Sequence, residues 1–404
     1  MVNQDLLLHN GGAAPDDSQD AALRHPPVQD GYRMPAEWQP HDRCWMGWPR
    51  RPDNWRNNAG PAMEAYSRVV TAIMEFEPVT VCAPDISQVR KAGASADSEG
   101  TVPAETEVVH MDQNDSWFRD TGPAFLVREN PGQAGGQELA GVDWIFNAWG
   151  GETGGLYKNW DLDDKIAAQI LQRAGAARYR CRAVMEGGSF HVDGEGTVMT
   201  TEECLLNANR NPMLSKAQIE QILKGYLGIQ KVLWLPKGLY ADDDTNGHVD
   251  NFACFVRPGV VLLAWTDDTT DPQHAVSGEA LRYLEGETDA KGRRLEVLKM
   301  PCPPPLHITE EEAAGVAKID GSKPRQAGDR LAGSYVNFYL PNGGVIAPQF
   351  GNEAAAADAR ALQIFQEIYP GRKVVGVQTR EILLGGGNIH CITQQQPSLN
   401  AKTS

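Results

Sequence analysis

Short aliphatic runs bounded by glycine or proline alternate along this chain with longer stretches whose apolar positions recur every three or four residues. The runs EPVTVCA (77–83), GTVMTT (196–201), KVLWLP (231–236), GVVLLAW (259–265) and GGVIAP (343–348) predict strands. β-Branched and aliphatic side chains suit a pleated, half-buried surface. PAMEAYSRVVTAIMEF (61–76), DDKIAAQILQRAG (163–175), KAQIEQILKGYLG (216–228) and ADARALQIFQEIY (357–369) predict amphipathic helices. Their spacing places the apolar side chains on one face. Ser215 ahead of Lys216, with Glu220 in the next turn, is a helix start signal. The alternation predicts an α/β protein.

Polar, glycine-bearing turns recur beside the strand-like runs: RDTGP (119–123), EGGSFHVDG (186–194), TNGHVDN (245–251), YVNFYLPNGG (335–344) and LGGGNIHC (384–391). They predict a handful of diverged βαβ-type modules. Radial packing of such modules would deliver every turn to a shared centre. Residues 266–333 read as the longest irregular connection, and no linker divides the chain. We therefore expect a single domain over 31–398, a flexible tail over 1–30 and a short C-terminal tail over 399–404.

Composition narrows the classes. A net charge of −16 argues against nucleic acid and anionic membranes, whose partners carry basic patches. It is compatible with a cationic substrate. No run approaches the length of a membrane helix, and the first residues lack the order of a secretory signal, so cytoplasm is expected. The seven cysteines are odd in number and contain no CxxC pair, which favours neither a disulfide framework nor a zinc ribbon.

One cysteine stands apart. Cys391 follows three glycines and sits beside Asn388, His390 and Thr393. The Gly-rich segment lacks the Lys-Ser/Thr of a phosphate loop. Asp242, Asp244, Asn246 and Gly247 imitate the start of a calcium loop, but Ala253 occupies the position that needs a bidentate Glu. What remains there is His248 and Asp250, two apart, which on a strand would share a face. Glu186 reads as a strand end before two glycines, and Asp115, Trp117, Arg119 and Asp120 crowd ahead of a Gly-Pro turn. Taken singly, each has an ordinary structural reading: core, cap or solvated turn. Together they are the inventory for displacing ammonia from a guanidinium: a nucleophile, a proton donor, and carboxylates that grip a planar cation through paired N–H···O bonds.

The ordered stretches MPAEWQPHDRCWMGWPRRPDNWR, NDSWFRDTGP, GVDWIFNAWGG, MEGGSFHVDGEG, TTEECLLNANRNP, DDDTNGHVDNFACFVRPGVV, SYVNFYLPNGGVIAPQFG and GGGNIHCITQQQP resemble the agmatine deiminases, plant-type members above all, of the peptidyl-arginine-deiminase-like superfamily. The resemblance spans nearly everything after residue 30. It implies a pentein fold, a five-bladed α/β propeller with a central active-site channel. It also implies conversion of agmatine and water to N-carbamoylputrescine and ammonia, a step of putrescine synthesis, with no metal or organic cofactor. Matched by position, Cys391 is the nucleophile that forms an amidino-cysteine intermediate, His248 the general acid/base and Glu186 its carboxylate partner. Asp120 and Asp250 match the guanidinium-binding acids and Trp117 the aromatic beside the substrate; Gly387 and Asn388 join them as expected contacts. A homodimer is expected. Hydrolysis of free or peptide-bound arginine on the same scaffold is the nearest rival, and a catalytically silent binding propeller the next.

Overall fold

The computed structural model describes residues 22–92, 102–130, 132 and 136–399. Among them, fifteen strands form five sheets. In chain order these are β1 (His41–Gly47), β2 (Val79–Ala83) and β3 (Glu107–His110); β4 (Ala124–Glu129), β5 (Gln137–Ile145) and β6 (Ala177–Val184); β7 (Phe190–Val192), β8 (Thr197–Thr201) and β9 (Lys231–Leu235). They continue with β10 (Ala253–Arg257), β11 (Val260–Trp265) and β12 (Glu296–Pro301); then β13 (Gly344–Gln349) and β14 (Lys373–Gln378). Last comes β15 (Thr393–Pro397), which returns to pair with β1.

One plan repeats five times. A strand pairs antiparallel with the next, and that one pairs in parallel with the strand reached through a helix. In the first sheet β15 supplies the antiparallel strand to β1, and β2 the parallel one. In the sheet of β13 and β14 the antiparallel strand has shrunk to a single bridge, Tyr339 to Ile346. Parallel neighbours need a crossover, and five helices supply it: α1 (Gly60–Met74), α2 (Ile166–Ala174), α3 (Lys216–Leu227), α4 (Pro272–Gly286) and α5 (Ala355–Ile368).

All five predicted strands and four predicted helices are present. Ser215 does cap α3, but its reciprocal partner is Gln218, whose side chain accepts from the Ser215 amide at 2.8 Å. That capping box stabilises the helix by about 1 kcal/mol. Residues 266–333 depart from expectation, because they contain α4 and β12. The buried stripe of α4 is Gln273, Ser277, Ala280 and Leu284. Two of its four inward positions are polar, so apolar periodicity hardly marks it. Gln273 donates to Ser277, which donates to the Ala264 carbonyl, so both are satisfied inside.

Of the expected tail, residues 1–21 lie outside the described residues. Leu23 bridges to Tyr179 beside β6, and the turn Pro27–Asp30 packs on α3. Of the expected C-terminal tail, Leu399 packs on the apolar cluster of Trp45 and Phe125, while residues 400–404 lie outside the described residues. Among the described residues no helix is long and apolar enough to cross a membrane.

The repeat positions chemistry. Each of the five polar turns sits immediately before, or runs into, the antiparallel partner of its module: β4, β7, β10, the Tyr339 bridge and β15. Equivalent places in five modules thus carry the polar residues.

Candidate active site

Gly188 marks where three of the five turns meet. A Cβ on this residue would lie 2.6 Å from His248 Nδ1, 2.9 Å from Asp120 Oδ1 and 2.9 Å from Asp250 Oδ2. No side chain fits there, so glycine is the residue that lets the three groups converge. Its amide donates to Asp120 Oδ1 at 2.9 Å, while Trp149 Nε1 donates to Asp120 Oδ2 at 2.9 Å. His248 Nε2 lies 3.5 Å from Glu186 Oε2. The other oxygen of Glu186 accepts from Arg210 Nε at 2.6 Å, and neither of these two side chains is exposed.

Cys391 closes the site. Its sulfur is 3.6 Å from Asp250 Oδ2 and accepts from Asn337 Nδ2 at 3.1 Å. Asn337 also receives the His390 and Cys391 amides on its oxygen, which fixes the turn. A Cβ on Gly387 would lie 2.9 Å from the sulfur and 2.7 Å from Trp117 Cζ3, so the thiol and the indole share one narrow space. Trp117 stacks on Trp55 at 5.1 Å, and Asp115 accepts from both indole N–H groups.

Buried polar atoms ordinarily find partners. Here Glu186 Oε2, both His248 ring nitrogens, Asp250 Oδ1 and, on the turn of Cys391, Asn388 Nδ2 have none. Such concentrated unspent capacity points to a polar ligand.

Charge follows from the crowding. Burial, then Asp250 and Asp120, push the Cys391 thiol well up. Burial pushes Asp120 up to about 6, against the pull of His248. Burial works against the imidazolium of His248, yet Asp120, then Cys204 and Glu186, hold it well above the usual histidine range. Burial also opposes ionisation of Glu186 and Asp250, but Arg210 and His248 lower the first, and His390 the second. These shifts favour a neutral thiol beside a protonated imidazole.

Cys391, His248, Glu186, Asp120, Asp250, Trp117, Gly387 and Asn388 lie in or against this cluster. His248 and Asp250 converge by a different route from the one expected. His248 precedes a tight turn, Val249–Asn251, Asp250 lies within it, and the strand starts only at Ala253. The acids of the calcium-like loop serve structure: Asp242 accepts from the Thr245 hydroxyl, the His248 amide and Asn251, and Asp244 pairs with Lys323 and Arg325. Sequence reading missed Arg210, Trp149, Asn337 and Glu37. Only Asn337 carried a signal, its place in the fourth polar turn.

Two groups bring metal-ligand atoms within 4.8 Å of one another: Glu37, His191 and His390; and Glu186, Cys204 and His248. In the first, the Phe255 amide donates to His191 Nδ1, which puts the ring proton on Nε2, 3.7 Å from Glu37 Oε2. In the second, Glu186 is already bound by Arg210. The first group is a hydrogen-bonded network, and the second shares its glutamate with an arginine.

The model of the Porphyromonas-type peptidyl-arginine deiminases matches residues 33–397. An agmatine deiminase of Medicago truncatula is 53% identical over 380 residues, which cover 93% of this chain and 99% of that protein. One from Stutzerimonas stutzeri is 55% identical over 377 residues, covering 93% and 98%. The solved agmatine deiminase of Enterococcus faecalis superposes with a TM-score of 0.86 at 45% identity, covering 93% and 98%.

Proposed function

The chain belongs to the Porphyromonas-type peptidyl-arginine deiminase family, and from that premise we propose that it hydrolyses agmatine to N-carbamoylputrescine and ammonia. It is a hydrolase of carbon–nitrogen bonds in linear amidines. The observation that carries the reading is the set of unpartnered carboxylate and imidazole atoms around Gly188, beside the Cys391 sulfur. A guanidinium supplies N–H donors in one plane to Asp120 and Asp250 and leaves its carbon open to the thiolate.

The steps balance as follows. Binding of the cation expels the thiol proton to solvent, and the thiolate adds to the guanidinium carbon. His248, as imidazolium, protonates one nitrogen, the C–N bond breaks and ammonia leaves, giving an S-alkylthiouronium. Neutral His248 then takes a proton from water as its oxygen attacks the same carbon. Collapse of that adduct breaks the C–S bond, transfers the hydroxyl proton to sulfur and leaves the ureido product with His248 protonated again. Glu186 steadies both charge states of His248.

Because Asp120 and Asp250 oppose a resting thiolate, substrate charge assists activation. Iodoacetamide alkylation of Cys391 should show a lower apparent thiol pKa when a non-reacting guanidinium analogue is bound. An unchanged pKa sinks this step.

A cavity of about 480 Å³ lies against the glycine loop, lined by Asp242, Asp244 and Gly386. Its cations are spent, Lys323 and Arg325 on Asp244 and Arg330 on Asp271. The exposed carboxylates Asp243 and Asp329, which also line it, make no ion pair among the described residues. This wall suits the ammonium tail of agmatine better than the carboxylate of arginine. Incubation of the purified protein with each, followed by ammonia assay, tests the choice: release from agmatine and little from arginine is expected, and the reverse overturns it. We further propose a five-bladed propeller spanning 31–398, a homodimer, and a place in cytoplasmic putrescine synthesis without metal or organic cofactor. Small-angle scattering and sedimentation test shape and assembly.

A further inference from the structure

From Asp250 Oδ2, at the edge of the site, a buried chain of charges leads to the segment ahead of β1. His390 Nδ1 lies 2.8 Å from Asp250 Oδ2, and its Nε2 lies 2.9 Å from Glu37 Oε2. Glu37, Asp250 and His390 are each at most 6% exposed. Glu37 also accepts from the Leu340 amide at 3.1 Å and faces His191 Nε2 at 3.7 Å. Both ring nitrogens of His390 therefore point at carboxylate oxygens, which only accept. The ring satisfies both when it carries two protons.

We infer that Glu37 and His390 are positioning residues for guanidinium binding: Glu37 keeps His390 doubly protonated, and His390 holds Asp250 by Oδ2 so that Oδ1 faces the substrate. Oδ1 is the Asp250 oxygen left without a partner. This inference rests on the agmatine reading.

The surroundings support it. Asp250 is faced by His248 and His390 and, more remotely, by Arg119; Asp120, Cys254 and the Cys391 thiol lie on its other sides. His390 is faced by Glu37, Asp250, Arg119 and the ring of His191. Burial opposes charge on all three members, yet Glu37 and Asp250 are lowered and His390 raised, as mutual pairing requires. Arg119 opposes the charge on His390, but its Nε donates to the His390 carbonyl and holds the turn.

Glu37→Gln tests it in the full-length chain. Without the second carboxylate His390 loses its extra proton at a lower pH, Asp250 loses a charged donor and its carboxyl rises. The acid limb of kcat/KM for agmatine should then move to higher pH. Near pH 6, KM should increase about tenfold while kcat changes by less than about threefold, and the KM difference should shrink at higher pH. A merely structural role would lower thermal stability or total activity without moving that limb. A folded, active Glu37→Gln protein with an unshifted limb and unchanged KM overturns the inference.

Should that variant fail to fold, ¹⁵N-histidine spectra of the wild-type protein decide. Both His390 ring nitrogens should stay protonated to a higher pH than those of an ordinary histidine, and a ring that titrates at or below the ordinary histidine range overturns the inference. Wild-type protein that releases no ammonia from agmatine would instead defeat the functional reading, and the spectra would stand apart from it.

Discussion

Two buried acidic regions share a raised carboxyl and behave oppositely. Asp163 is fully buried, and burial raises its carboxyl to about 7. Asp120, at 3% exposure, is raised to about 6 for the same reason. Asp163 spends its oxygens on the Asn114 and Asp115 amides and on the Tyr157 hydroxyl, so it fastens a loop. Around Asp120 the neighbouring Asp250, Glu186 and His248 keep atoms in reserve. Burial and a raised pKa are thus shared by a strut and a site. Unspent hydrogen-bonding capacity, with a thiol in reach, separates them.

The largest effect belongs on the site side. Cys391→Ala should lower agmatine turnover by about four orders of magnitude or more while the melting temperature stays near wild type. Retained turnover would remove the nucleophile assignment. Asp120→Asn should cost about two to three orders of magnitude in kcat/KM and only about 1 kcal/mol of stability. The same variant should erase the wild-type rise of kcat/KM as pH passes through about 6, where Asp120 ionises. A pH profile with that rise intact would assign it elsewhere.

Substitution of Asp163 should do the reverse. Asp163→Ala strands two buried amides and should cost about 2 kcal/mol by urea unfolding, with near-normal turnover at low temperature. Asp163→Asn should cost less, since its carbonyl can accept both amides and its NH₂ can face the Tyr157 oxygen. The sign of the pH effect follows from the raised carboxyl. Its contribution to stability is complete below the unfolded-state value and is lost as pH climbs through about 7. Asp163→Asn should flatten that loss, and an unchanged pH–stability curve would deny Asp163 this role. The smallest effect is expected at the cavity wall, where Asp243→Asn with Asp329→Asn should raise the agmatine KM about threefold and leave kcat alone. No change in KM would direct the tail elsewhere.

Much of this was legible in advance, for local reasons. Strands such as β11 and helices such as α1 announce themselves because one face is uniformly apolar. The helix α4 did not, because its inward stripe includes Gln273 and Ser277, satisfied only by partners brought by folding. Cys391, His248, Glu186 and Asp120 were legible because each sits in a glycine-bearing turn amid other polar residues. Arg210 and Trp149 were not, since an arginine after asparagine and a tryptophan before glycine look like any surface cation or core aromatic until they meet Glu186 and Asp120. Glu37 lies 353 residues from its partner His390.

Sequence alone determined the residue types, the order of strand and helix, and the recurrence of polar turns, since these depend on neighbours a few positions apart. Tertiary structure decided which polar groups become partners of one another and which are left for a ligand. That decision rests on distances between modules, where a shift of one ångström turns a hydrogen bond into an unpaired buried charge. No local pattern encodes such a distance; the packing of the modules around Gly188 does.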